Sequence, residues 1–165
     1  MKTTISLITL FSISFFCACT SEVDCTDPRL EPTFVGYTMT ELDTLIYTKF
    51  KAGSNFTVPL DTFLVDKSRA HYTVKHDTIN IFETVVESRI LPGSDWQIFV
   101  PAANRTVLIA DIASSHEKGK VSHGIFSMDH FGPPCMNTIY SAKLDSQNLT
   151  FTKNDSLRYF LYIPR

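Results

Sequence analysis

Polar and apolar residues alternate in short runs along most of this chain, with a period of two. Over residues 69–75, Ala70, Tyr72 and Val74 fall on one side, and Arg69, His71, Thr73 and Lys75 on the other. That period marks a half-buried strand, because successive side chains leave a pleat on opposite faces. Residues 138–144 repeat it, with Tyr140, Ala142 and Leu144 expected inward. In 157–163, Leu157, Tyr159, Leu161 and Ile163 share a face, while Arg158, Phe160 and Tyr162 take the other. Two such apolar-rich faces predict a strand covered on both sides. Further strands are expected over 33–38, 57–65, 78–86, 96–100, 106–112 and 148–152. Gly53-Ser54, Pro92-Gly93-Ser94, Gly119 and Gly132-Pro133-Pro134 supply the turns between them.

One stretch carries two patterns. Thr38-Met39-Thr40-Glu41 reads as a helix capping box, and Leu42, Leu45, Ile46, Lys49 and Phe50 would share a helical stripe. The β-branched Thr40, Thr44, Ile46 and Thr48 favour extended chain, so a strand from Asp43 is the expectation. Short strands joined by turns, without strand–helix–strand alternation, predict an all-β fold. The expected architecture is an antiparallel β-sandwich, immunoglobulin-like or jelly-roll-like, with an open β-barrel as the alternative. At 165 residues, 44% hydrophobic and 19% charged, the chain suits one globular domain.

Residues 1–18 differ from this body. Lys2 is the only charge before Glu22, and an apolar core runs over 5–16, the length of a signal-peptide core. Ala18 then precedes Cys19. Phe16-Cys17-Ala18-Cys19 resembles the lipobox of bacterial lipoproteins, although Phe16 and Cys17 stand where that motif favours Leu and a small residue. The resemblance implies cleavage before Cys19 and lipid on its thiol. Other fates of the same segment are cleavage without lipidation, or retention of the uncharged run 3–21 as an anchor. The organisation expected is a lipoprotein signal peptide over 1–18, an anchor and short tether over 19–30, and a single β-rich domain over 31–165. Thr20 follows Cys19, so the Asp-after-Cys retention signal of some inner-membrane lipoproteins is missing and the outer membrane is preferred. The whole resembles small β-rich lipoproteins of gram-negative cell envelopes.

Cleavage and acylation would leave two cysteines, Cys25 and Cys135, in an oxidising compartment. A disulfide between them is the expectation. Such a bridge would hold Gly132-Pro133-Pro134 near the lipid, since Cys25 lies six residues beyond the anchor.

Searching for chemistry narrows the function classes. Removing residues 1–18 takes away Lys2 and leaves 147 residues with 14 basic and 17 acidic side chains, a balance unsuited to nucleic acid. There is no Gly-x-Ser-x-Gly elbow, His-Glu-x-x-His, phosphate-binding glycine loop or Cys-x-x-Cys. His71, His76, His116, His123 and His130 lack metal-ligand spacing, so no metal, cofactor or catalytic residue is assigned. Asp111, within an apolar strand, is expected to face solvent. The candidate binding residues are Trp96, at a strand start, with Phe126, His130 and Phe131 near the proline loop. The expected function is a non-enzymatic, membrane-anchored binding or assembly module for an envelope protein or glycan. A hydrolase built from scattered residues is the alternative.

Overall fold

The computed structural model describes residues 19–66, 68–123, 135–152 and 157–165. Their strands are β1 (Cys19–Asp24), β2 (Arg29–Val35), β3 (Thr44–Lys51), β4 (Pro59–Asp66), β5 (Ala70–Lys75) and β6 (Thr78–Glu83). These are followed by β7 (Ser94–Val100), β8 (Arg105–Ser114), β9 (Lys118–His123), β10 (Ile139–Leu144), β11 (Gln147–Thr150) and β12 (Arg158–Pro164). The described residues fall into two compact units, one drawn from 26–116 and 136–165 and the other from 19–25, 117–123 and Cys135.

The larger unit holds a six-stranded sheet, β11-β10-β8-β7-β3-β4, and a four-stranded sheet, β12-β2-β6-β5. Strand pairing is antiparallel except where β12 runs parallel to β2. One core of buried side chains lies between the sheets. Leu45, Tyr47, Trp96, Ile98, Val107 and Ile109 come from one, and Leu30, Phe34, Ile81, Tyr159, Leu161 and Ile163 from the other. Neither sheet closes on itself, so the all-β expectation resolves as a β-sandwich rather than an open barrel.

Local patterns differ from expectation where the pleat is interrupted. Tyr140 is exposed, not inward, while Ile139, Ala142 and Leu144 are buried. The β10–β8 register shifts between Ile139 and Ser141, and this bulge reverses the alternation for one residue. A second shift between Ser141 and Lys143 accompanies a positive φ at Asp111, whose exposed carboxylate meets Lys143 Nζ at 2.7 Å. The capping box does form, but around a single turn: Thr38 N–H donates to Glu41 Oε2 (2.8 Å) and Glu41 N–H to Thr38 Oγ1 (3.3 Å). The chain then enters β3 at Thr44, where tertiary pairing with β4 and β7 outweighs the helical stripe.

The smaller unit is a two-stranded ribbon in which β1 and β9 pair from Cys19↔His123 to Asp24↔Lys118. Residues 19–24, expected as tether, are therefore strand. Cys25 and Cys135 are disulfide-bonded at the ribbon's end, with Cα atoms 4.9 Å apart.

Candidate functional site

The candidate site lies on the outer face of the four-stranded sheet, where β12 and β2 run side by side. Along β12, Tyr159, Leu161 and Ile163 enter the core, so Arg158, Phe160 and Tyr162 point outward. Phe160 is 43% and Tyr162 60% exposed, which corrects the expectation of cover on both faces among the described residues. Among the described residues β12 is an edge strand of its sheet. In register with it, β2 sends Leu30 and Phe34 inward and leaves Arg29, Glu31 and Thr33 on the outer side. Thr33 Oγ1 donates to Asn80 Oδ1 on β6 at 2.6 Å, tying the middle of the face together.

Glu31 is the electrostatic centre of this face. Its carboxylate is wholly inaccessible to solvent, a costly placement unless the charge is paired. Arg29 donates to Glu31 Oε1 from Nε and approaches it with Nη2, both at 3.0 Å, while Arg158 Nε lies 3.3 Å from the same oxygen. The Arg158 guanidinium also sits 5.1 Å over the Phe82 ring. Two guanidinium groups are thereby held in fixed positions above one buried counter-charge.

A third arginine arrives from outside the sheet. After the 3-10 turn Val86–Ser88, Arg89 N–H donates to Val86 O (3.2 Å), and Ile90 bridges to Leu30. Leu30 and Ile90 are both buried, so their neighbours Arg29 and Arg89 fall on the outer side. Arg89 Nε is buried and has no hydrogen-bond partner.

Arg29, Arg89 and Arg158 together border two adjoining recesses of about 380 and 460 Å³. Thr26, Asp27, Val86, Leu91 and Leu157 complete the first. His71, Phe82, Glu83 and Thr84 complete the second. A third recess of about 380 Å³ lies farther along β12, between Phe151, Tyr159, Phe160 and Tyr162.

Glu83 borders the second recess, with its carboxyl oxygens buried on the core face of β6. Burial pushes its carboxyl up to about 7, against the lowering influence of Tyr47 and Arg29. The Tyr47 phenol is in turn held well above its ordinary range, first by burial and then by Glu83. The two groups perturb each other's ionisation, yet neither Glu83 oxygen nor the Tyr47 hydroxyl has a hydrogen bond of normal geometry.

The residues expected to form a site fare differently. Trp96 is 1% exposed in the core, and its indole N–H donates to Leu91 O at 3.3 Å, so it offers no stacking face and is withdrawn as a binding residue. Phe126, His130 and Phe131 lie outside the described residues. Cys19 is paired through β1 to His123. Among the described residues, no group of three or more His, Cys, Asp or Glu could hold a metal. The arginine cluster was missed because Arg29, Arg89 and Arg158 are far apart in sequence. One signal was legible: the Arg-x-Phe-x-Tyr alternation of 158–162 places a cation and two aromatics on one strand face.

Comparison with protein-family models, with curated proteins and with solved structures yields no significant match to this chain.

Proposed function

We propose that this protein is an exported lipoprotein of a gram-negative envelope, anchored through Cys19 and probing its surroundings with the outer face of the four-stranded sheet. It acts as a non-enzymatic binding or assembly module for a protein or glycan, from the outer membrane. The signal-peptide-like segment and Ala18-Cys19 support the anchor. The observation that carries the binding reading is the joint presence of exposed Phe160 and Tyr162 with three arginines. Outer sheet faces ordinarily bear polar residues, and aromatic side chains with arginine are the types enriched where binding energy concentrates.

The hydrolase reading draws on Glu83, whose raised ionisation suits a general acid at neutral pH. Both of its oxygens are shielded from solvent, however, and a substrate bond must come within hydrogen-bonding reach of such a group. The binding reading is therefore preferred.

Two measurements test it. Intact-mass analysis of membrane-extracted protein is expected to show an acylated Cys19 as first residue; an unlipidated terminus elsewhere refutes the anchor. Benzophenone photocrosslinkers at Phe160 and Tyr162 in living cells are expected to form discrete adducts. Control positions Leu60 and Leu64, exposed on the other sheet, are not. Equal labelling from both sheets, or none from β12, refutes the proposed face.

A further inference from the structure

The arginine cleft has features that a general contact surface does not require. Glu31 already satisfies Arg29 and Arg158 through a single oxygen, so these two are braced in place. Arg89 is different: its Nε–H is buried without an acceptor, at a desolvation cost that an incoming anion would offset. Its position beside Arg29 and Arg158 makes the recess cationic around that unused donor. Planar guanidinium forks match carboxylates in two-point geometry, which favours such a ligand group over a neutral one.

The rest of the cleft is not built for a bare ion. Phe82 walls the second recess, and Phe160 and Tyr162 continue the same outward face along β12, about 7 Å apart as alternate residues of a strand. The guanidinium donors and the exposed rings therefore lie on one outer sheet face, joined through Arg158 and Phe160 as alternate residues of β12. A sugar acid carries the complementary set: a carboxylate, hydroxyl groups and flat C–H faces that rest on aromatic rings.

We infer that the Arg29–Arg89–Arg158 cleft is a carboxylate subsite for an acidic saccharide, with Arg89 taking the acid group and Phe160 and Tyr162 the adjoining sugar faces. This rests on the reading of the β12 face as the binding surface, and it names the ligand class of that face. Charge complementarity selects the occupant: three guanidinium groups border the cleft against the carboxylates of Asp27 and the buried Glu31, and an acidic group matches that cationic excess better than a neutral hydroxyl.

Isothermal titration of the full-length, detergent-solubilised protein tests the assignment, with an oligogalacturonate and its methyl ester as matched acidic and neutral probes. The acidic oligomer is expected to bind, and the ester to bind about tenfold more weakly or worse. Arg89→Gln should weaken the acidic oligomer alone by a similar factor, and Arg89→Lys should lose less because it keeps the charge. Phe160→Ala with Tyr162→Ala should weaken both probes. Trp96 fluorescence confirms that each variant is folded, since that side chain is buried in the core.

Equal affinity for acid and ester, or no effect of Arg89→Gln, overturns the carboxylate subsite while leaving the binding face in place. Failure of the acidic oligomer to bind overturns the saccharide assignment, and crosslinking from Phe160 separately decides the face. Vesicles containing anionic phospholipid are the remaining arm. Arg89-dependent binding to them without oligogalacturonate binding would assign the cleft to a lipid headgroup and refute the inference.

Discussion

Replacing Glu31 with Gln removes one negative charge from beneath two arginines and leaves the side chain's shape intact. The Arg29 side chain is 17% exposed and Glu31 is fully buried, so this pair has little water to fall back on. Breaking such a buried pair by removing one partner costs about 3–5 kcal/mol. The contact to Arg158, which is half exposed, adds no more than about 0–1 kcal/mol after solvent screening. The Gln carbonyl still accepts a hydrogen bond from Arg29, recovering about 1 kcal/mol. The expected net loss is about 2–5 kcal/mol, a fall in Tm of roughly 5–20 °C. Urea unfolding followed by the fluorescence of Trp96 measures it, because the chain has one tryptophan and it lies in the core. Adding Arg29→Gln to Glu31→Gln should cost little more, since the partner has already gone. A Glu31→Gln protein within about 0.5 kcal/mol of the parent would refute the view that this buried charge holds the face together.

Glu83 governs a pH dependence with a definite sign. Its carboxyl titrates near 7 when folded and near 4.5 when unfolded, so the folded state keeps the proton longer. Its stabilising contribution is full below about pH 4.5 and is lost as pH rises through 7, by about 3 kcal/mol in all. Glu83→Gln should remove that slope from urea titrations across pH 5–8, and an unchanged slope would exclude Glu83 as its source. Replacing both Cys25 and Cys135 with Ser opens a bridge spanning 110 residues and should lower stability by about 4–5 kcal/mol in the chain-entropy treatment. Chemical unfolding of the double variant under non-reducing conditions measures the change. Gly119→Ala would place a Cβ 2.5 Å from Cys135 Sγ, so a larger fraction of alkylatable thiol is expected in unreduced protein. Thiol content equal to that of the parent would show that the ribbon shifts freely to accept the methyl group.

Much of the sandwich was legible along the chain because burial on one face of a pleat imposes a period of two. β5, β7, β8, β11 and β12 lie within a few residues of the expected segments. Periodicity fails where geometry departs from the pleat, as at the Tyr140 bulge and at the Thr38–Glu41 turn. It was also silent on β1 and β9, whose residues alternate weakly and become strands through pairing with each other across 94 residues or more. The Cys25–Cys135 pairing was legible for a different reason: with Cys17 and Cys19 assigned to the leader and the anchor, two cysteines remained.

The functional face divides along the same line. By itself, the sequence specifies a leader-like segment, an all-β body and an outward row of Arg158, Phe160 and Tyr162, because these are properties of neighbouring residues. Only the tertiary structure decides that Trp96 is core, or that Arg29 and Arg158 share the buried oxygen of Glu31. Parallel pairing of β12 with β2 sets Arg158 opposite Arg29, and the Leu30–Ile90 bridge brings Arg89 to the same side. Strand order and register are settled by how the two sheets close over a common core. Three arginines scattered through the chain become one cleft only after that closure.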